Sequence, residues 1–238
     1  MKYMNYHTPA GETAALANIS FSVMPGEFVA IVGPSGCGKS TILSLIAGLV
    51  SPSSGEIYIC GQPVGGKTNP LVGYMLQHDH LFPWCSVWDN VLLGLKIQHA
   101  CTPEKEERLR SLLEQYGLAD FIHSNPKHLS GGMRQRVVIA LALSADPKLI
   151  IADEPTTALD VSVQKQVLEE LLLLRKTYGT AIVLVAHNIG VIGAMADRVL
   201  VMQDGRTVEY GETQTVLHDP QASYTRMLLS AVPRLRRA

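Results

Sequence analysis

Short, almost uniformly apolar runs recur along this chain and alternate with stretches of helical character. The apolar runs lie at residues 28–32, 72–76, 149–153 and 181–186. The helical stretches lie at residues 42–47, 102–116, 137–145 and 160–178. Short apolar runs are typical of strands buried on both faces of a parallel sheet. The alternation therefore predicts an α/β fold with a mostly parallel central sheet.

Two turn signals predict antiparallel pieces beside that sheet. The alternating run 19–23 precedes Pro25-Gly26, so we expect N-terminal antiparallel strands at 19–23 and 28–32. Asp204-Gly205 favours a second hairpin near the C-terminus. The remaining predicted elements are a strand at 56–60, the hairpin strands 198–203 and 207–209, and short helices within 213–231.

The segment after the run 28–32 matches G-x-x-x-x-G-K-[ST] in a strand–loop–helix context. Its glycines let successive backbone N–H groups turn inward around an anion, and the following helix adds the positive end of its dipole. Lys39 adds a full charge, and Ser40 offers a hydroxyl to the Mg²⁺ that accompanies a nucleoside triphosphate. The predicted phosphate loop consists of Gly33, Pro34, Ser35, Gly36, Cys37, Gly38, Lys39, Ser40 and Thr41.

A pair of carboxylates, Asp153 and Glu154, ends the apolar run 149–153. Open α/β sheets bind their ligands at the carboxyl ends of their strands. We therefore expect Asp153 to bind Mg²⁺ directly or through water, and Glu154 to accept a proton from an attacking water. The alternative is a solvated turn, which the phosphate loop makes less attractive.

Three isolated residues each allow two interpretations. Tyr6 either stacks on a purine or packs at the edge of the first strand. Gln77 follows the run 72–76, and taken alone it is a solvent-facing polar residue. His187 ends the run 181–186, at the same sheet edge as the carboxylates, which favours a role at the γ-phosphate over a structural histidine.

Two further stretches suggest binding surfaces. Ser130 is a good helix N-cap, and Gly131 and Gly132 open that helix start to close approach, so it is either a second anion site or an ordinary capped helix. Both tryptophans lie in the loop-like stretch 81–88. That stretch is either a partner surface or a packed corner of the core.

Composition narrows the classes of function. Lys and Arg number 20 against 21 Asp and Glu, a balance that predicts no binding to nucleic acid. The basic cluster at 234–237 is interpreted as a solvated tail. No apolar run approaches the roughly 18 residues of a membrane-spanning helix, and no signal peptide is evident. The spacing of the four cysteines suits a reducing cytosol.

Together these motifs resemble the nucleotide-binding subunit of an ATP-binding-cassette (ABC) transporter over almost the whole chain. The correspondences are residues 33–41 with the Walker A loop, Gln77 with the Q-loop, 129–133 with the family signature, 149–154 with the Walker B strand, 158–160 with the D-loop, His187 with the switch histidine and Tyr6 with the adenine-stacking aromatic.

The resemblance implies a single cassette domain with a P-loop NTPase (RecA-like) core formed by residues 1–80 and 147–238 and an inserted helical subdomain at 81–146. It implies ATP and Mg²⁺ as cofactors. Catalytic roles fall to Glu154, His187 and Gln77, and the metal ligands are Ser40, Gln77 and Asp153. Two cassettes pair head to tail in this family, so Ser130, Gly131 and Gly132 are expected to complete the partner's ATP site. Asp160 of the D-loop is expected among the ATP-binding residues.

The implied function is energy coupling in an importer on the cytoplasmic side of the cell membrane. Its expected partners are separate permease subunits, a second cassette that is either identical or a paralogue, and indirectly a substrate-binding protein. The rival is a soluble cassette ATPase acting on DNA or ribosomes. Residues 81–84 and 89–91 resemble nitrate/sulfonate/taurine importers, whereas 154–161 and 224–229 resemble peptide/nickel importers, so the substrate stays open.

Overall fold

The computed structural model describes residues 3–8, 11–77, 79–156, 160–186 and 188–231, with residues 3–8, 11–14, 161 and 162 described by their backbone alone. The strands are β1 (Tyr3–Thr8), β2 (Gly11–Ala17), β3 (Phe28–Val32), β4 (Tyr58–Ile59), β5 (Gln62–Pro63), β6 (Val72–Met75), β7 (Leu149–Asp153), β8 (Ala181–Val185), β9 (Arg198–Gln203) and β10 (Arg206–Glu212). The helices are α1 (Lys39–Ile46), α2 (Val87–Ile97), α3 (Pro103–Gln115), α4 (Gly131–Leu143), α5 (Val161–Tyr178), α6 (Ile189–Met195), α7 (Thr213–His218) and α8 (Ser223–Ser230).

The chain divides into two compact units, one formed by Met1–Asn69 and Ala181–Ala238 and the other by Pro70–Thr180. The expected boundaries of the helical subdomain, residues 81–146, remain a prediction. Among the described helices, none has both the length and the apolar character needed to cross a membrane.

Parallel pairing organises the sheet of the first unit. Strand β3 pairs in parallel with β8 on one side and β9 on the other, and β10 pairs antiparallel with β9. Every residue of β3 and β8 is buried, as their uniformly apolar sequences predict. One buried cluster of this unit contains Ala30, Val32, Ile192, Val199, Val201 and Val216.

In the second unit, strands β6 and β7 pair in parallel, so their carboxyl ends lie at the same edge. Helix α4 packs closely on β6 because position 73 is a glycine. A Cβ atom on Gly73 would lie 2.4 Å from the carbonyl oxygen of Ala142. This close approach fixes α4 against the strand that precedes Gln77.

The structure confirms the predicted strands 28–32, 72–76, 149–153 and 181–186 to within a residue, and the helices at 102–116 and 160–178. The strand predicted at 19–23 is wrong, because those residues join no ladder. Burial still alternates there, with Ile19 buried and Ser20 exposed. The alternation thus reports which side chains face the interior, whereas the N-terminal hairpin consists of β1 and β2. The strand predicted at 56–60 is reduced to Tyr58–Ile59.

Candidate functional site

The phosphate loop joins β3 to α1 and has no room for larger side chains at two glycines. Gly38 has φ +99°, and a Cβ atom there would lie 2.5 Å from the Cδ2 atom of Leu16. A Cβ atom on Gly33 would lie 2.4 Å from the carbonyl oxygen of Met202. Strand β2 and the end of β9 therefore press directly on the loop, and only glycine fits at these contacts.

Lys39 is the first residue of α1, and its side chain is almost fully buried by the loop that precedes it. Its Nζ atom donates to the carbonyl oxygens of Gly33 and Pro34, both at 2.9 Å. The loop thus folds around an ammonium group. No side chain caps the start of α1 among the described contacts, so backbone N–H groups and a positive charge converge where the sequence predicts a phosphate.

The β9–β10 turn supports the same loop. Gly205 donates its backbone N–H to the carbonyl oxygen of Cys37 at 3.1 Å and accepts from the N–H of Ala17 at 2.8 Å. Cys37 itself is buried, and burial raises the pKa of its thiol, with Lys39 opposing the shift. Ser40, by contrast, is exposed.

The carboxylates predicted for catalysis end β7 in the second unit. Asp153 is the last residue of the strand and is 8% exposed. Glu154 follows with φ +48°, a left-handed conformation that is uncommon outside glycine and recurs at functional sites. Its Oε2 atom accepts a hydrogen bond from the Nε2 atom of Gln77 at 3.4 Å. The structure therefore brings together two of the three predicted catalytic residues.

The signature residues open helix α4 as predicted. Ser130 is the N-cap, and its hydroxyl accepts from the N–H of Met133 at 3.2 Å. Gly132 lies against α5, where an added Cβ atom would be 2.8 Å from the Cγ1 atom of Val163. The N–H of Val163 in turn donates to Asp160, the N-cap of α5, at 2.9 Å. Ser130, Gly132 and Asp160 thus lie at two adjoining helix starts in the same unit.

Two predicted site residues lack a described side chain. His187 and residues 157–159 lie outside the described part of the chain, as does the basic cluster at 234–237. Tyr6 lies in β1 opposite Thr13, where only its backbone is described. Its two interpretations therefore both stay open.

In the stretch 81–88, Trp84 is exposed and Trp88 is half-buried. Trp84 is 75% exposed, and its ring lies 5.3 Å from that of Phe82. Trp88 is the second residue of α2, a helix that was not predicted, and the guanidinium of Arg110 lies over its ring at 4.3 Å. The buried Asn90 fixes the loop between them, as its side chain accepts from the N–H of Phe82 and donates to the carbonyl oxygens of Phe82 and Ser86.

Sequence reasoning missed an ion pair beside the site. Asp79 follows Gln77 by two residues, and its carboxylate accepts from Arg134 of helix α4 at 2.7 Å. The two residues are 55 positions apart, so neither shows in the sequence that the other is near. The one available signal was an acidic residue two positions after Gln77 and a basic residue four positions after Ser130.

The sequence matches the model of the ABC transporter family over residues 16–157. The chain is 42% identical over 199 residues to the uncharacterized ABC transporter ATP-binding protein YtlC of Bacillus subtilis (strain 168), covering 84% of this chain and 76% of that protein. It is 41% identical over 229 residues to the methionine import ATP-binding protein MetN of Rhizobium etli, covering 93% of this chain. The chain spans 63% of the length of that MetN relative.

A solved structure has the same fold. It is the dimeric, post-hydrolysis state of the ATP-binding cassette MJ0796 bound to ADP and Pi, with a TM-score of 0.78 and 31% sequence identity. The match covers 89% of this chain and 96% of that one. The predicted α/β cassette fold is therefore confirmed.

Proposed function

This chain belongs to the ABC transporter family, and we propose that it is the ATP-hydrolysing subunit of an importer whose permease is a separate protein. The observation that carries the proposal is the loop built around Lys39 at the start of α1. A loop that gathers backbone N–H groups, a helix N-terminus and a buried ammonium suits a polyphosphate.

The predicted magnesium ligands fit that ion chemically. Ser40, Gln77 and Asp153 offer a hydroxyl, an amide and a carboxylate oxygen, and Mg²⁺ prefers oxygen ligands. When bound, the ion neutralises charge that develops on the phosphate oxygens during transfer. Among the described residues, no group of three or more His, Cys, Asp and Glu side chains forms an alternative metal site.

Glu154 is the proposed general base. Its backbone is left-handed just after β7, and its Oε2 atom accepts a hydrogen bond from the amide of Gln77. As a carboxylate, Glu154 can accept the proton of an attacking water. Gln77 acts as an orienting group, and His187 is proposed to contact the γ-phosphate.

A second cassette completes the proposed active site. Ser130, Gly131 and Gly132 present an exposed to half-buried helix start, capped by a neutral hydroxyl, that suits an anion held by another molecule. The dimer of MJ0796 with ADP and Pi supports this arrangement. ATP then stabilises the dimer because it contacts both chains and so binds the paired state more tightly than the single chain. Whether the partner is identical or a paralogue stays open.

Import through a permease is supported by the MetN relative, which is named for methionine import. We place the chain on the cytoplasmic face of the membrane, with the exposed Phe82–Trp84 pair as the permease contact and the substrate-binding protein reached indirectly. No described feature favours nucleic acid as the partner. The transported substrate stays open between the nitrate/sulfonate/taurine and the peptide/nickel types.

Co-purification tests this function. The tagged chain is co-expressed with candidate permease genes and pulled down from detergent-solubilised membranes. Wild type should capture the permease. Trp84→Ala should weaken the association by about 2 kcal/mol or more, since exposed aromatic anchors commonly dominate interface energy. ATP hydrolysis by the free subunit should hardly change.

Tyr58→Ala is the matched control, because Tyr58 is an aromatic residue 57% exposed on the short strand β4. It should leave permease capture at the wild-type level. Equal capture by Trp84→Ala and wild type would remove Trp84 as the anchor. Capture of ribosomes or DNA with no membrane protein would favour the soluble alternative instead.

A further inference from the structure

The ion pair between Asp79 and Arg134 lies inside the second unit, between two motifs of the proposed site. The Nε atom of Arg134 donates to the Oδ2 atom of Asp79 at 2.7 Å, and Nη1 donates to the carbonyl oxygen of Leu129 at 2.8 Å. The two side chains are 35% and 38% exposed. The Arg134 guanidinium therefore contacts both Asp79, two positions after Gln77, and Leu129, the residue before the signature turn (residues 130–132).

Arg134 is well placed to transmit position to the signature residues. It lies in the first turn of α4, and its backbone N–H donates to the carbonyl oxygen of Ser130 at 3.0 Å. Its side-chain Nη1 atom also donates to the carbonyl oxygen of Leu129, the residue before Ser130. A movement of the Arg134 side chain must therefore pull on the turn that carries Ser130, Gly131 and Gly132.

Asp79 links the same guanidinium to the segment that carries Gln77, whose side chain contacts Glu154. It follows Gln77 by two residues, and the Gln77 amide contacts Glu154 at 3.4 Å. A hydrogen bond thus joins Glu154 to Gln77, the chain continues over two positions from Gln77 to Asp79, and an ion pair joins Asp79 to Arg134 in the first turn after the signature residues. All of these residues belong to one compact unit.

We propose that Asp79 and Arg134 are positioning residues that couple the two ATP sites of the dimer. This inference rests on the proposed head-to-tail pairing, in which Gln77 and Glu154 serve the ATP of their own chain while the signature turn serves the ATP of the partner. The Asp79–Arg134 ion pair, which joins the segment after Gln77 to the helix that begins at the signature turn, then links one site to the other. A ligand that shifts Gln77 at one site alters the signature turn at the second.

The chemistry of arginine suits this role better than that of lysine. The planar guanidinium presents donors in two directions at once, so it can hold a carboxylate and a carbonyl oxygen with fixed geometry. Lysine carries a single compact ammonium and cannot reproduce that fork. The partial exposure of the pair keeps it weak enough to break and reform during a catalytic cycle.

The test is the ATP dependence of hydrolysis by the purified full chain. Wild type should show a Hill coefficient clearly above about 1, with an upper bound of about 2 set by the number of sites. Asp79→Asn should lower it to about 1 and raise the half-saturating ATP concentration about fivefold, the lower end of common coupling strengths. Asp79→Glu, which keeps the charge, should restore part of the cooperativity.

Asp146→Asn is the matched control. It removes the same charge from another arginine pair of the second unit, Arg108–Asp146 at 3.0 Å, and Asn tolerates the left-handed backbone at that position. Its Hill coefficient should equal that of wild type. Circular dichroism and thermal unfolding of all the variants check that each one folds.

A double-mutant cycle separates positioning from simple damage. If Asp79 acts through Arg134, Asp79→Asn should have no further effect on cooperativity in an Arg134→Gln background. Additive effects, or an Asp79→Asn curve that matches Asp146→Asn, would overturn the proposal. Wild-type hydrolysis without cooperativity would also overturn it while leaving the proposed function intact. A wild-type chain that hydrolyses no ATP would overturn the proposed function itself.

Discussion

At the scale of single residues, the local identity of the phosphate loop is evident in the sequence, but its internal contacts are not. The pattern from Gly33 to Thr41 predicts a loop that binds an anion because the spacing of glycine and lysine is local. The hydrogen bonds from Lys39 to the carbonyl oxygens of Gly33 and Pro34 are evident only in the folded loop. The left-handed backbone of Glu154 was equally invisible, since glutamate has no preference for it.

Cys37 provides a chemical probe of this loop. Its side chain is 4% exposed and burial raises its thiol pKa, whereas Cys60 and Cys101 are exposed. Because the thiolate is the reactive form, iodoacetamide should label Cys37 roughly tenfold or more slowly than the other two at neutral pH. The Cys37 rate should keep rising with pH beyond the range in which an ordinary thiol is fully ionised.

Bound Mg-ATP should slow the labelling of Cys37 further and leave Cys60 and Cys101 unaffected. Mass spectrometry of tryptic peptides gives the three rates in one experiment. Equal labelling of Cys37 with and without saturating nucleotide would show that the loop is not occupied as proposed or that its thiol points away from the nucleotide.

At the scale of helices and strands, predictions succeeded where the signal is local. Thr102, Ser130 and Asp160 cap the helices that follow them, and Gly179 ends α5 in a left-handed conformation. Each of these signals needs only the neighbouring residues. Alternation at 19–23 misled because it reflects burial without showing whether another strand is near enough to pair. Helix α2 was missed because the aromatic stretch 81–88, which includes its first two residues, suggested a loop.

The contact between α4 and α5 depends on Gly132. Gly132→Ala places a Cβ atom 2.8 Å from the Cγ1 atom of Val163, so either the Val163 side chain or one of the helices must shift. Overpacking of this kind typically costs about 1–3 kcal/mol, and the better helix propensity of alanine returns up to about 1 kcal/mol. We expect a net loss of about 1 kcal/mol in the free energy of unfolding, measured by urea denaturation.

Val163→Ala provides the compensating change. In the Gly132→Ala background it removes the methyl group that clashes, so it should cost less there than in the wild-type chain. Additive losses in the double variant would mean that Gly132 and Val163 do not meet as described. ATP-dependent dimerisation of the two single variants would show separately whether the spacing of these helices matters for the signature turn.

At the scale of the whole molecule, the alternation of apolar runs predicts the fold class but not the order of the strands. Strand β3 lies between β8 and β9, which follow it by about 150 residues or more. Such pairing is decided by packing across the molecule, which short-range patterns do not encode. The residues predicted for the site are likewise far apart in the sequence and belong to both compact units. That these residues act together could be predicted only because all of them resemble motifs of one family.

The central claim is that this chain hydrolyses ATP as a head-to-tail dimer with Glu154 as the base. The most direct test is Glu154→Gln, followed by ATPase assay and by light scattering of the eluting species with and without Mg-ATP. The amide cannot accept the proton, so hydrolysis should fall by roughly 10²–10⁴-fold while ATP still binds.

Dimers of Glu154→Gln should then accumulate with ATP, since the nucleotide that stabilises the interface is no longer consumed. Adding Lys39→Ala to the same chain is the control: it removes a charged contact to phosphate, so the double variant should stay monomeric. Wild-type turnover by Glu154→Gln, or a monomer at saturating Mg-ATP, would contradict the claim.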